Sequence, residues 1–274
     1  MFMRLPINFC PTGMLPTKAN TPHVPVSTAE IIEQTQDAYE QGISIVHLHA
    51  RDHEQKPSWQ PEIYRDIVEG VRKYCPGLVI CLSTSGRDFP EFEKRSAVIE
   101  LKPDMCSLTL SSLNFYRNAS VNSPDMINQL LGKMIEYGVH PEFECFDLGM
   151  VNYGKYLMQK HELDGPCYWN LIFGNIAGMQ ATLSQLATSV GEIPPNHYLA
   201  LGGIAKAQLA VTSTAVAMGL GVRIGLEDNI WFDKSNQLLA TNRSLLGRVH
   251  QLMAINQKKL MKSEDMGLYN LKNG

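Results

Sequence analysis

The sequence lacks the features that mark membrane and exported proteins. Its longest apolar runs stay well short of the roughly 18 residues that a membrane span needs. The first residues, MFMRLPINFCPTG, have neither the apolar core nor the cleavage site of a signal peptide. We therefore expect a cytoplasmic protein with no membrane partner.

An excess of one charge is also missing. The 24 basic residues nearly balance 27 acidic ones, and the net charge is −3. No strong field marks a nucleic-acid partner, so a small-molecule ligand is favoured. The cysteines show no paired spacing and several lie in apolar runs, which indicates reduced core thiols. They are Cys10, Cys75, Cys81, Cys106, Cys145 and Cys167.

No linker rich in Gly, Pro or Ser, no low-complexity tract and no near-identical repeat interrupts the chain. A single domain over residues 1–274 is therefore predicted. Strand-like apolar runs occur near 4–10, 43–50, 78–84, 105–110, 141–147, 168–174, 197–203 and 222–228. Helical spacing follows in a segment from Ser27 to Gly42 and in 61–74, 90–100, 123–137, 149–163, 180–190, 206–219 and 236–256.

Eight strands alternating with eight helices should pair in parallel. At this length they match a (β/α)₈ TIM barrel better than an open doubly wound sheet. In such a barrel the catalytic face lies where the strands end and the helices follow. Polar residues late in a strand are therefore candidates for function.

Two histidines in the stretch IVHLHARD, residues 45–52, share one face of a predicted strand. Because strand side chains alternate, His47 and His49 both point into the barrel near its catalytic end. A pair of imidazoles on one face can chelate a divalent metal that needs one further ligand. The alternative is a pair of hydrogen-bonded core histidines.

The stretch VRIGLED, residues 222–228, offers the third ligand. Glu227 at the end of the last strand would complete a His₂Glu zinc site with a position open for substrate; otherwise it is a solvated or salt-bridged loop acid. Arg223 lies deeper and needs an acidic partner, which Asp228 or Glu144 could provide. Glu142 and Glu144 face inward together, either as an ion-pair network or in catalysis.

Serine-rich stretches end the third and fourth strands, LSTSGR (82–87) and SLTLSS (107–112). Their hydroxyl and backbone N–H groups could bind a carboxylate. Six stretches together closely resemble the β-keto acid cleavage enzymes, best known for cleaving 3-keto-5-aminohexanoate. They are PHVPVSTAEI (22–31), VHLHARD (46–52), STSGR (83–87), SLTLSSLNF (107–115), PEFECFD (141–147) and VRIGLEDN (222–229).

The resemblance implies a (β/α)₈ barrel that converts a β-keto acid and acetyl-CoA into acetoacetate and a new acyl-CoA. It implies one zinc ion on His47, His49 and Glu227, which polarises the ketone and acidifies C2. A homotetramer is implied as well. The remaining implied roles are Asp228, oriented by Arg223, as the base; Glu144 as an active-site acid; and Ser83, Gly86 and Ser107 as the substrate carboxylate site.

One departure from the family bears on the substrate. The 3-keto-5-aminohexanoate enzymes carry an acid before the Thr-Lys and Pro-x-Val-Pro stretch, to receive an ammonium. Here Met14 and Leu15 stand at that place. We therefore expect Leu15 to contact an uncharged tail, or an anionic one if Lys18 turns inward.

Two other classes of function stay open from the residues alone. One is another metal-dependent TIM-barrel lyase or hydrolase, of the HMG-CoA lyase or amidohydrolase type. The other is a non-catalytic ligand-binding barrel, because fold alone does not imply activity.

Overall fold

A computed structural model describes residues 4–268, in which eight parallel strands close into a barrel surrounded by eight α-helices. The predicted (β/α)₈ fold is therefore confirmed. The barrel strands are β1 Ile7–Phe9, β2 Ile45–Leu48, β3 Val79–Leu82, β4 Met105–Thr109, β5 His140–Cys145, β6 Tyr168–Phe173, β7 Tyr198–Gly203 and β8 Gly221–Ile224. The helices are α1 Thr28–Gln41, α2 Pro61–Tyr74, α3 Phe92–Ser96, α4 Pro124–Tyr137, α5 Leu148–Lys160, α6 Leu183–Gly191, α7 Gln208–Met218 and α8 Asn242–Ile255.

Helix α1 shows how local signals set the element boundaries. The Ser27 hydroxyl accepts from the Glu30 backbone N–H at 3.3 Å, and the Glu30 carboxylate accepts from the Ser27 N–H at 3.0 Å. This reciprocal pair is the predicted capping box. Gly42 ends the helix with φ 89°, a left-handed conformation that glycine adopts without steric cost.

Three segments illustrate how the observed bounds differ from the predicted ones. Strand β8 ends at Ile224 because Gly225 turns the chain, with φ 155° and no room for a side chain; a Cβ there would lie 2.0 Å from the Cys10 carbonyl oxygen. Helix α8 begins only at Asn242, where Thr241 caps it. The 90–100 helix is α3 followed by a 3₁₀ turn, Ala97–Leu101.

Short strand pairs lie outside the barrel. Ala50–Arg51 pairs with Pro57–Ser58, and Leu113–Asn114 pairs with Ala119–Ser120 as a hairpin; both pairs follow the ends of barrel strands. At the opposite end of the barrel, Arg4–Leu5 pairs with Lys259–Leu260.

The residues after α8 close the amino-terminal end of the barrel. Met266 and Leu268 are buried against the first residues of several barrel strands, including Ile45 and Val79. The Ser263 hydroxyl donates to the Ser44 carbonyl at 2.6 Å, which fixes the segment to the barrel. We refer to residues 259–268 as the plug.

The structure bears on two of the features missing from the sequence. In residues 4–268, no helix is long and apolar enough to cross a membrane. All six cysteines are buried and none forms a disulfide. Their burial agrees with the expected core thiols.

We expect Met266→Ala to lower the free energy of unfolding by about 2–5 kcal/mol, because it leaves a cavity beneath the barrel. Urea denaturation measures this loss. Met218→Ala is the control, since Met218 is 61% exposed and its loss should change stability by less than about 0.5 kcal/mol. Equal stability of the two variants would show that the plug does not pack as described.

Candidate active site and metal centre

Two buried histidines face each other at the catalytic end of the barrel. His47 lies in β2 and His49 directly follows that strand; they are 2% and 7% exposed. Their Nε2 atoms are 3.2 Å apart, and His49 Nε2 lies 3.3 Å from Glu227 Oε1. The three side chains therefore converge on one point, although Glu227 follows the last strand and the histidines belong to the second.

These three residues fit a divalent metal. Their candidate ligand atoms all lie within 4.8 Å of one another. The second carboxylate oxygen of Glu227, Oε2, is buried without a hydrogen-bond partner, which is costly unless something else binds it. Two imidazoles and one carboxylate form the donor set of several catalytic zinc sites.

Glu142 holds His47 in place from inside the barrel. Its carboxylate accepts from His47 Nδ1 at 2.7 Å, from the Asn8 and Asn170 amides at 2.7 and 3.1 Å, and from the Cys81 thiol at 3.2 Å. Burial alone lowers the pKa of His47, but the Glu142 carboxylate raises that pKa to about 9. In the neutral form that binds a metal, His47 keeps its proton on Nδ1, toward Glu142, and the Nε2 lone pair on the side of His49 is free to coordinate.

The cluster of His47, Cys81 and Glu142 could also be considered as a metal site. Its polar atoms, however, already bond to one another. Glu142 therefore contacts a histidine and does not line the cavity described below.

Arg223 joins three carboxylates although it is only 2% exposed. Its Nε donates to Asp228 Oδ2 at 2.9 Å and its Nη2 to Glu227 Oε1 at 2.7 Å, while Nη1 lies 3.4 Å from Glu144 Oε1. Burial raises the pKa of Asp228, and the opposing effect of Arg223 does not cancel it. Despite its burial, Glu227 has a pKa well below its usual range because of Arg223 and the histidines.

The turn after β8 explains how Asp228 reaches Arg223. Strict alternation along a strand would point them to opposite faces, but the strand has already ended at Ile224. The Glu227 N–H donates to the Cys10 carbonyl at 3.2 Å, so the turn rests on the loop after β1. Gly13, with φ 63°, allows this contact because a Cβ would lie 2.5 Å from Glu227 Cγ.

The same loop is fixed by a buried arginine. Arg51 Nη2 donates to the Gly13 and Pro16 carbonyls at 2.6 and 3.0 Å. Met14 and Leu15, between these two anchors, line the cavity beside the histidines. Lys18 points elsewhere, since its ammonium donates to Glu30 at 2.6 Å.

The cavity above the histidines has a volume of about 370 Å³. Of the residues predicted to contact substrate, Ser83 and Leu15 line it. Ser107 does not, because its hydroxyl accepts from the Thr84 N–H at 3.1 Å. Gly86 is also outside the lining and packs against Arg95, where a Cβ would meet Nη1 at 2.6 Å. The other predicted residues in the lining are His47, His49, Glu144, Arg223, Glu227 and Asp228.

Comparison with known families distinguishes between the classes of function that the residues alone left open. The family model described as "beta-keto acid cleavage enzyme" matches residues 4–266. The chain belongs to the β-keto acid cleavage enzyme family. The proposed resemblance is confirmed, and the chain is an enzyme of the cleavage-transferase type rather than a non-catalytic barrel.

Curated relatives in this family are moderately similar. The 3-oxoadipate:acetyl-CoA acetyltransferase of Cupriavidus necator is 34% identical over 244 residues, covering 88% of this chain and 85% of the relative. The 3-keto-5-aminohexanoate cleavage enzyme of Acetoanaerobium sticklandii is 32% identical, covering 80% of each. Among solved structures, the binary complex of ObcA with oxaloacetate matches with a TM-score of 0.78 at 19% identity, covering 92% of this chain and 69% of that one; it supports the fold alone.

Sequence reasoning missed part of the cavity wall of this family member. Ser85 and Arg87 line the cavity together with Ser83, which makes every second residue after β3 part of the wall. This alternation could have been used to predict Ser85 and Arg87 as cavity residues from the sequence. Phe115 and Tyr116 line the cavity from the hairpin, and no local pattern indicated that the hairpin would reach the site.

Proposed function

We propose that the chain is a zinc-dependent enzyme that combines a β-keto acid with acetyl-CoA to give acetoacetate and a new acyl-CoA. The observation that carries the proposal is one cavity lined by a His₂Glu ligand set and by Asp228 hydrogen-bonded to Arg223. The names of the relatives, which include transfers to acetyl-CoA, support the co-substrate.

His47, His49 and Glu227 would hold the ion, with Glu142 fixing the orientation of His47. Bound zinc supplies Lewis-acid polarisation of a ketone, which acidifies the neighbouring carbon. Glu227 Oε2, which is buried without a hydrogen-bond partner, supports this assignment.

Asp228 is the proposed base that removes the proton from C2 of the acid. Its raised pKa makes it a better proton acceptor than an ordinary aspartate, and Arg223 holds the carboxylate in a fixed orientation. The resulting carbanion adds to the acetyl-CoA carbonyl. Coenzyme A then passes to the former ketone carbon, and cleavage of the C2–C3 bond releases acetoacetate.

Glu144 and Ser83 complete the proposed site. Thr109 donates to Glu144 at 2.8 Å and Arg223 Nη1 lies 3.4 Å from it, so Glu144 helps to set the position of the guanidinium. Ser83 lines the cavity and is proposed to donate its hydroxyl proton to the carboxylate common to all β-keto acids. Gly86 and Ser107 would act indirectly, by shaping the loop that carries Ser83.

The substrate tail is proposed to be uncharged or anionic. Met14 and Leu15 offer no acid to an ammonium, which would stay unpaired at a cost of several kcal/mol. Lys18 is engaged with Glu30 and does not line the cavity, so it provides no charge for an anionic tail. We also propose, from the family resemblance alone, a cytoplasmic homotetramer.

The proposal is tested by measuring acetoacetate after the protein is mixed with a β-keto acid, acetyl-CoA, or both. We expect acetoacetate and a new acyl-CoA only in the complete mixture. Cleavage of the acid without acetyl-CoA would instead indicate a lyase or hydrolase and would refute the transfer reaction. Gel filtration with light scattering tests the tetramer separately.

A further inference from the structure

Arg87 extends a row of polar side chains along the cavity wall. The loop after β3 places Ser83, Ser85 and Arg87 in the lining at alternate positions. The guanidinium carbon of Arg87 lies 3.7 Å from the centre of the Phe115 ring, so its flat face is covered by the hairpin. Stacking of this kind fixes the plane of the guanidinium group, which lines the cavity.

The Arg87 side chain has no hydrogen-bond or ion-pair partner among the residues that the structure describes. Its Nε is buried without a hydrogen bond, and it forms no ion pair within residues 4–268. The other arginine in the cavity lining, Arg223, is already paired with three carboxylates. A buried N–H that finds no acceptor in the protein is costly unless a ligand supplies one.

Arginine binds carboxylates in a bidentate geometry, so a carboxylate is the ligand that best fits this position. The phosphates of coenzyme A are separated from the thioester by the whole pantetheine arm, which makes a cation close to the reacting groups unsuited to them. Arg87 lines the same cavity as His49 and Glu227, where the reacting groups would lie. The expected ligand is therefore a part of the acid rather than of the coenzyme.

The position of Arg87 favours the tail of the acid over its reacting end. Met14, Ser83 and Ser85 together line a second, smaller cavity, so the loop that bears Arg87 lies against the segment proposed to contact the tail. We propose that Arg87 binds a carboxylate at the far end of the substrate, and that the enzyme prefers a dicarboxylic β-keto acid. This inference rests on the proposed function and gives it a substrate class.

The test compares two six-carbon acids that differ only in the tail, 3-oxohexanedioate and 3-oxohexanoate. With acetyl-CoA, Arg87→Met should lower kcat/KM for the diacid by roughly 10- to 100-fold and leave the monoacid nearly unchanged. Arg87→Lys keeps the charge but not the bidentate geometry. Its kcat/KM for the diacid should lie between those of the wild type and Arg87→Met. Arg117→Met is the control, because Arg117 is exposed and outside the cavity lining. Thermal unfolding of each variant checks that the fold is kept.

Equal losses for both acids would assign Arg87 to the carboxylate they share and overturn the proposal, as would no loss for either. Calorimetric binding of each acid without acetyl-CoA separates this inference from the reaction itself. If the wild type forms no acetoacetate but binds the diacid more tightly in a manner that requires Arg87, the proposed function fails and the tail site stands. If acetoacetate forms but Arg87→Met has no selective effect on the diacid, the proposed function stands and the tail site fails.

Discussion

His49→Ala should abolish both stoichiometric zinc and acetoacetate formation. The change removes one of three ligands, and the remaining His47 and Glu227 cannot hold an ion alone in a cavity open to water. The loss of metal affinity should exceed the roughly 10- to 100-fold that changes to outer hydrogen-bond partners typically cause. Elemental analysis of the purified protein gives the zinc content, which should be about one per chain in the wild type.

His53→Ala is the matched control, since this exposed histidine follows the same strand but does not line the cavity. It should keep both metal and activity. Stoichiometric zinc in the double variant His47→Ala/His49→Ala would show that the ion binds elsewhere. If the wild type kept its activity after zinc was removed, with no metal added back, the metal requirement would be refuted.

Asp228→Asn should lower kcat by about 10²- to 10⁴-fold, the usual contribution of a general base. The amide retains the size of the side chain and can still accept from Arg223 Nε, so zinc content and folding should be unchanged. A direct readout of the base is exchange of the C2 protons of the acid into heavy water, followed by nuclear magnetic resonance. Without acetyl-CoA, the wild type should accelerate this exchange and the variant should not.

Glu144→Gln provides the comparison for Asp228, because it removes another carboxylate beside the same guanidinium, at 3.4 Å. A purely electrostatic role for these acids predicts similar effects of both changes on proton exchange. We expect the exchange to be lost only in Asp228→Asn. Wild-type exchange in that variant would exclude Asp228 as the base.

The sequence predicted the fold because alternation of strands and helices is a local property. Each unit carries its own periodicity and caps, as the pair of Ser27 and Glu30 shows. The boundaries were less accurate where distant contacts decide them. Gly225 ends β8 because the Cys10 carbonyl lies against it, more than two hundred residues away in sequence.

The same distinction applies to the site. Alternation brought His47 and His49 to one face, since both belong to one strand region. It could not reveal that Glu142 would accept from four different strands, or that the hairpin would cover Arg87. The plug was not predicted either, because residues 259–268 show no regular pattern and are held by contacts with the starts of the barrel strands.

The plug closes the amino-terminal end of the barrel. Met266 and Leu268 fill that end, so ligands reach the histidines from the opposite end, between the loops that follow the strands. A small acid bound beside the histidines is then covered by a larger thioester that enters after it. In an enzyme of this shape we expect an ordered sequence, in which the acid binds first and the acetoacetate leaves last.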